Sequence, residues 1–292
     1  MRCGLIGAGI ETSLSPALHE QEGRSHGLDL TYTLIDADTG LAALLERAEA
    51  DGFVGVNITH PFKQRAVALV DDLSPQAREI GAVNTVVFDD GRRTGHNTDV
   101  HGFAESFRLN LPGAARDRVV LLGAGGAGAA CAFALLGLGV GHLTVVDPDP
   151  DRRGALGEAL AARFDADRIA LSAPDRLDPA LRAADGLVNA SPVGMASHPG
   201  LPLPVDLLHR SLWVNDVIYM PVDTDLLVAA RARGLRAVGG AAMCVFQAAA
   251  AFELFTGRTP DTPRMLRHAE ALLSTPGVRD EPTDRRSCRH IA

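Results

Sequence analysis

The sequence predicts an α/β fold made of two successive strand–helix series. Three observations carry this. Short apolar runs alternate with helix-length segments, first from Cys3 to Phe88 and again from Arg118 onward, the order that builds a mostly parallel sheet. The hexapeptide Gly123-Ala-Gly-Gly-Ala-Gly128 stands between a strand pattern and a helix pattern. The 292 residues are 46% hydrophobic with 30 Gly, enough apolar surface for true cores, which excludes a disordered chain or a disulfide-stapled miniprotein.

In the first series Cys3–Gly7 reads as strand, Pro16–His26 as helix, Thr31–Asp36 as strand and Leu41–Ala50 as helix. Phe53–Ile58 follows as strand, then a helix opened by Pro61, then Val83–Phe88 as strand. Proline suits a helix start because its missing N–H has no partner there anyway. In the second series the strands are Val119–Leu122, Leu143–Asp147, Gly186–Asn189, Trp213–Val217 and a short one around Ala237, with helices between them. Ala241–Phe255 and Thr262–Leu273 read as two closing helices, and Gly239–Gly240 as the turn before them. From Pro276 the chain is rich in Pro, Asp and Arg with little apolar periodicity, and 275–292 is expected to be a disordered tail.

Charge and cysteine usage narrow the function. The net charge is −8 with no long basic run, which argues against nucleic-acid binding through phosphate neutralisation. Cys3, Cys131, Cys244 and Cys288 are far apart with no CxxC or Cys/His ladder. That fits a reducing, cytoplasmic compartment and no structural metal. Cys3, Cys131 and Cys244 sit in apolar stretches and read as core fillers. Val119–Val146 carries no formal charge and is long enough for a bilayer, but its strand, glycine-loop, helix order is that of a buried β–loop–α unit, not a membrane span. Met1–Gly9 likewise reads as a first strand, not a signal peptide. Asp147, Asp149, Asp151 and Glu158 have calcium-loop spacing, yet Arg152 stands where that loop needs Gly. Lys63 is the only lysine among 28 basic residues. An arginine cannot release its proton near neutral pH and a placed lysine can, which marks Lys63 as a candidate proton carrier.

The hexapeptide matches GxGxxG, where glycines allow a tight turn and let backbone N–H groups at a helix start approach a pyrophosphate. The next strand ends in Asp147, 19 residues past Gly128, close to where an acid meets the adenosine ribose. A carboxylate there accepts from a free 2′-hydroxyl and repels a 2′-phosphate, so NAD is expected to be preferred over NADP. Arg152 and Arg153 follow at once and could soften that preference.

Four polar segments stand where strands should end: Thr12–Pro16, Asn57–Lys63, Gly81–Thr85 and Asn97–Asp99. Ligands of open α/β sheets bind at such ends. Taken singly, each could be turn or cap chemistry, with Ser13 and Ser15 capping the helix at Pro16 and Asp99 capping the helix after it. Taken together, with the only lysine among them, they suit a small polyhydroxylated anion. Tyr32 reads as core or sheet surface, and His60 is the rival base beside Lys63.

These segments bring out a family likeness. SLSPALH (13–19), NITHPFK (57–63), GAVNT (81–85), NTD (97–99), GAGGAG (123–128), NASPVGM (189–195), the Tyr219-Met-Pro221 turn and the Gln247 helix occur in one order along the chain. To about Leu273 it resembles the shikimate/quinate dehydrogenase family, nearest the NAD-preferring quinate/shikimate branch. The resemblance implies a substrate domain of residues 1–103 and 241–274, the C-terminal helices returning to it, and a Rossmann domain of 104–240 between. It implies reversible oxidation of the ring 3-hydroxyl of quinate and/or shikimate to the 3-dehydro acid. Lys63 and Asp99 would be the catalytic pair, Asn84, Thr59 and Gln247 would bind ring hydroxyls, and Ser13, Ser15 and Tyr219 the carboxylate. Cofactor contacts would come from Gly123, Gly125, Gly126, Ala127, Gly128, Asp147, Arg152, Ser191, Val193, Met195, Val217 and Gly240. An NADP-preferring biosynthetic shikimate dehydrogenase, a dehydrogenase of an amino-substituted ring acid and a silent dinucleotide sensor are the alternatives. Monomer and homodimer both fit.

Overall fold

A computed structural model describes residues 1–274; Cys288 and the expected disordered tail lie outside the described residues. In chain order the elements are β1 (Arg2–Gly7), α1 (Ser15–Ser25), β2 (Thr31–Asp36), α2 (Leu41–Ala50), β3 (Phe53–Ile58), β4 (Asp72–Leu73), α3 (Pro75–Ile80), β5 (Thr85–Asp89), β6 (Arg92–His96) and α4 (Asp99–Asn110). There follow β7 (Arg118–Leu122), α5 (Gly126–Gly137), β8 (His142–Val146), α6 (Pro150–Ala161), β9 (Ile169–Ser172), α7 (Leu177–Arg182) and β10 (Gly186–Asn189). The last are β11 (Trp213–Asp216), α8 (Asp225–Ala232), β12 (Ala237–Val238), α9 (Ala241–Thr256) and α10 (Thr262–Leu273).

The elements form two six-stranded sheets, ordered β2-β1-β3-β5-β6-β4 and β12-β11-β10-β7-β8-β9. In the second sheet every pairing is parallel, and the strand order reverses between β7 and β10, where a doubly wound sheet opens its ligand crevice. In the first sheet β5 runs antiparallel to both β3 and β6. Its turn at Asp90-Gly91 places both residues at positive φ, 46° and 74°, the conformation an Asp-Gly hairpin turn supplies. The sequence reading missed β6 because Arg92-Arg-Thr-Gly-His96 is polar and half exposed and shows no apolar alternation. It also missed β4, α3 and the short edge strand β9.

One predicted helix is absent. Pro61 opens a turn, with a cis His60–Pro61 peptide, and only a short 3-10 turn at Arg65–Leu69 follows. A tertiary bond competes with the helix here: the Lys63 carbonyl accepts the Val83 N–H at 2.8 Å, so it is not free for the N–H four residues on. The uncharged stretch from Val119 resolves into β7, a loop and α5, whose residues Gly128–Leu136 are all buried. Among the described residues no helix is long and apolar enough to cross a membrane.

After β12 the chain turns back, and α9 packs on α4 and on the first sheet. Phe252 and Phe255 of α9 join Cys3, Leu5 and Tyr32 in one core cluster. Gly55 of β3 makes room for this, since a Cβ there would stand 2.5 Å from the Phe255 ring. Buried Glu22 of α1 holds α10, accepting from the Arg264 guanidinium at 2.7 and 3.1 Å and from the Asp261 N–H at 2.8 Å.

His19 of α1 stacks on Tyr32 with ring centroids 4.5 Å apart and is fully buried. Neither ring nitrogen has a hydrogen-bond partner among the described residues. Desolvation pushes its pKa down to about 3, against 6.5 for a free imidazole. The folded protein therefore holds His19 neutral while the unfolded chain takes up a proton below 6.5. Its contribution to stability is complete above that value and is lost as pH falls toward 3. At pH 5 the loss is about 2 kcal/mol at 1.36 kcal/mol per pH unit. His19→Phe should lose correspondingly less stability between pH 7.5 and pH 5 in urea unfolding; equal losses in the two proteins would show that His19 does not titrate on unfolding.

Candidate active site

The polar segments converge at the strand ends. The loop after β1 brings Ser13 and the start of α1 brings Ser15; the end of β3 and its following turn bring Asn57, Thr59 and Lys63. The segment entering β5 brings Asn84, and the β6–α4 junction brings Asp99. Val217 and Tyr219 reach in from the loop after β11. Gly240 and Gln247 come from the start and face of α9, and Ala127 from the first turn of α5. Together they line a cleft of about 180 Å³ between the two sheets, with Leu5, Met243 and Cys244 on its walls.

At its centre the Lys63 Nζ donates to Asp99 Oδ2 at 2.7 Å, with the two side chains 16% and 6% exposed. Asn84 holds the other oxygen of Asp99, its Nδ2 donating to Oδ1 at 2.9 Å. Asn84 is fixed in turn, accepting from the Thr98 N–H at 2.8 Å and from the Thr85 hydroxyl at 3.0 Å. Asn57 Nδ2 donates to Thr85 Oγ1 at 2.9 Å, and the Tyr32 hydroxyl donates to Asn57 Oδ1 at 2.7 Å. An unbroken chain of buried donors thus runs from Tyr32 to the lysine–aspartate pair, and each link sets the orientation of the next amide or hydroxyl. Sequence reasoning missed Tyr32 and Asn57 as members. An alternating strand pattern says which face a tyrosine occupies, not what its hydroxyl meets.

Neither capping alternative holds. The N-cap of α1 is Leu14 and it carries no side-chain cap bond; Ser13 Oγ accepts from the Ser15 N–H at 3.2 Å instead, so the serines brace each other at the cleft. Asp99 is the first residue of α4, not its cap. Its N–H donates to Asn97 Oδ1 at 3.1 Å, and its carboxylate is taken by Lys63 and Asn84. Gly102 lets α4 approach α9, for a Cβ there would lie 2.9 Å from the Gln247 Cβ; this close crossing brings Gln247 to the same cleft as Asp99. Burial pushes the Tyr219 phenol up, while a hydrogen bond to Ser13 acts in the opposite direction. Partial desolvation lowers the His60 pKa, and the nearby charges of His198, Arg152 and Lys63 act in the same direction.

The remaining predicted residues line the C-terminal ends of the second sheet. Gly123 has φ +101°, and a Cβ on it would meet the Ala190 carbonyl oxygen at 2.7 Å. A Cβ on Gly128 would fall 2.0 Å from the Gly123 carbonyl oxygen, so these two glycines are demanded by the turn itself. At Gly125 nothing lies within 4 Å: it presents an open cradle at the start of α5, where the first backbone N–H groups have no intrahelical partner. A dinucleotide pyrophosphate fits such a cradle. Asp147 is buried; its Oδ2 accepts from the Ala124 N–H at 2.7 Å and its Oδ1 from the Asp149 N–H at 2.9 Å. Arg152 is exposed and pairs with Asp149 at 3.3 Å, and the Arg153 guanidinium donates to the Asp147 carbonyl.

Ser191 hangs on Asn189, its hydroxyl donating to Oδ1 at 2.7 Å, and accepts from the Val193 N–H at 3.3 Å. Met195 bridges Val193 and His198 in the same loop. Asn189 Nδ2 also donates to Asp216 Oδ1 at 3.1 Å, and Thr224 donates to Asp216 Oδ2 at 2.7 Å. Burial pushes the Asp216 carboxyl up, with those hydrogen bonds opposing. Buried Asp216, absent from the sequence-based candidates, thereby ties the Ser191–Met195 loop to the loop carrying Val217 and Tyr219. Gly240 sits on that loop too, since a Cβ on it would stand 2.0 Å from the Val217 carbonyl oxygen.

A glycine loop opening a helix beside a polar cleft suits a pyridine-nucleotide-dependent oxidoreductase. Residues 5–86 match the model of the shikimate dehydrogenase substrate binding domain and residues 240–270 that of the shikimate 5′-dehydrogenase C-terminal domain. The chain is 55% identical over 282 residues to a shikimate dehydrogenase (NADP(+)) of Streptomyces avermitilis, covering 94% of this chain and 97% of that one. It is 46% identical over 269 residues to a quinate/shikimate dehydrogenase (NAD(+)) of Corynebacterium efficiens, covering 90% and 95%. The quinate dehydrogenase of Corynebacterium glutamicum in complex with NAD superimposes with a TM-score of 0.85 at 44% identity, over 93% of this chain and 99% of that one. The chain belongs to the shikimate/quinate dehydrogenase family of NAD(P)-dependent oxidoreductases.

Proposed function

We propose that this protein oxidises the ring 3-hydroxyl of quinate and/or shikimate, reversibly and with NAD in preference to NADP. In this reading residues 1–103 and 241–274 hold the ring acid and residues 104–240 hold the cofactor. When bound, the nicotinamide supplies the hydride acceptor. The alcohol proton must leave as the hydride does, and a base within hydrogen-bond reach has to receive it. Lys63, held by Asp99, fills that role, the proton returning by the same route in the reduction. Asn84, Thr59 and Gln247 bind the other ring hydroxyls; Ser13, Ser15 and Tyr219 hold the carboxylate. The Lys63–Asp99 contact of 2.7 Å inside the cleft is the observation that carries the reading.

The cofactor preference rests on charge. The relatives named above include both an NADP(+) and an NAD(+) enzyme, so likeness leaves the choice open. Asp147 supports NAD, because its carboxylate would repel a 2′-phosphate and retains lone pairs for a ribose hydroxyl. The two arginines able to bind such a phosphate are engaged otherwise, Arg152 with Asp149 and Arg153 with the Asp147 carbonyl.

The test is a steady-state assay at alkaline pH crossing quinate and shikimate with NAD and NADP. The expected result is a kcat/KM at least ten times higher with NAD, about 1.4 kcal/mol of selectivity. Turnover of shikimate with NADP alone would overturn the cofactor reading and favour the biosynthetic enzyme. Silence with all four pairs would count against the substrate assignment and favour an amino-substituted ring acid or a dinucleotide sensor.

A further inference from the structure

Three glycines of the phosphate loop have explanations within their own half of the molecule; Gly126 does not. It is the first residue of α5 and is not among the residues at positive φ. Alanine is the better helix former, and positions 127, 129 and 130 are already Ala. A Cβ on Gly126 would meet the lysine side chain that comes from the first sheet's side of the cleft. It would stand 2.9 Å from Lys63 Cβ, 3.3 Å from Cδ and 3.6 Å from Cγ. The stem of the only lysine therefore lies directly on the backbone of the phosphate loop.

Lys63 has little freedom to yield. Its carbonyl accepts from Val83 N–H at 2.8 Å and its Nζ donates to Asp99 at 2.7 Å, so the residue is pinned at both ends with Gly126 against the stem between them. The atom that an added methyl would meet first is Cβ, the least mobile of the side chain. Relief would require moving the Asn57–Lys63 segment or opening the cleft.

We propose that Gly126 is a positioning residue: the phosphate loop is the wall against which the lysine stem is set. Cofactor binding on that loop and placement of the Nζ against Asp99 are then coupled. A displacement near 1 Å at a reacting group can cost about a hundredfold in rate. The inference rests on the reading of Lys63 as proton carrier given above.

The experiment uses the single lysine. Protein labelled with [ε-13C]lysine gives one side-chain signal, that of Lys63, whatever the activity. ADP-ribose, which occupies the phosphate loop but lacks the nicotinamide ring, should shift that signal in the unaltered protein. An unmoved signal at saturating ADP-ribose overturns the proposal even if no variant folds. In Gly126→Ala the Lys63 signal and its titration midpoint should move. Its kcat should fall ten- to a hundredfold at saturating substrate and cofactor, and the shift that ADP-ribose gives the lysine signal should shrink. A normal kcat with an unmoved lysine signal would overturn the proposal, and so would a loss confined to NADH affinity, which would make Gly126 a cofactor residue only. Lys63→Ala separates the two readings: full turnover there removes the proton-carrier reading itself, whereas an inactive Lys63→Ala beside a normal Gly126→Ala removes only the positioning claim.

Discussion

Lys63→Arg is expected to keep the fold, the Tm and the binding of NADH while lowering kcat at least a hundredfold. The substitution preserves the positive charge and a donor for Asp99, so a purely electrostatic or structural role would survive it. A guanidinium does not give up its proton in the working pH range, and a proton shuttle would not survive. Loss of a general base costs about a hundred- to ten-thousandfold. The arginine fork is also bulkier where the lysine stem lies on Gly126, so the variant's affinity for substrate should be measured together with kcat. A kcat within threefold of the parent would remove Lys63 from the proton path and return His60, the neighbouring imidazole, to consideration.

The second large effect is expected at Asp147. Asp147→Asn removes the charge and retains one amide oxygen able to accept from the Ala124 or Asp149 N–H. Repulsion of a 2′-phosphate is thereby relieved. The ratio of kcat/KM with NAD to that with NADP should fall at least tenfold, about 1.4 kcal/mol, chiefly through a lower KM for NADP. Steady-state rates with both cofactors at a fixed saturating substrate measure this ratio. An unchanged ratio would mean that the carboxylate serves the loop alone, where it holds Ala124 and Asp149, and that cofactor choice is made elsewhere.

The sequence alone determined much of this protein. Strands with dense apolar runs, such as Phe53–Ile58 and Gly186–Asn189, coincide with the observed ones, because a buried strand must be written in apolar side chains. The glycine hexapeptide was legible for a similar reason: a tight turn and a close approach leave few residue types able to serve. Lys63 was singled out by its scarcity. Where the sequence fell short, a long-range partner had overruled a local preference. Pro61 reads as a helix start, but the Lys63 carbonyl is claimed by Val83. Arg92–His96 shows no apolar strand pattern, but pairing with β5 and β4 makes it a strand.

Only the tertiary structure decided which polar atoms meet. Asp99 could have been a helix cap; the folding of β3 beside β5, and of α4 against α9, turned its carboxylate to Lys63 and Asn84. Tyr32 and Asp216 carry no local signal of their roles, since a buried hydroxyl or carboxylate is given its task by the partner that relieves its desolvation. Gly126 shows the division most plainly. Its local sequence would accept alanine; the bar to that substitution is the lysine stem from a segment more than sixty residues away in the chain.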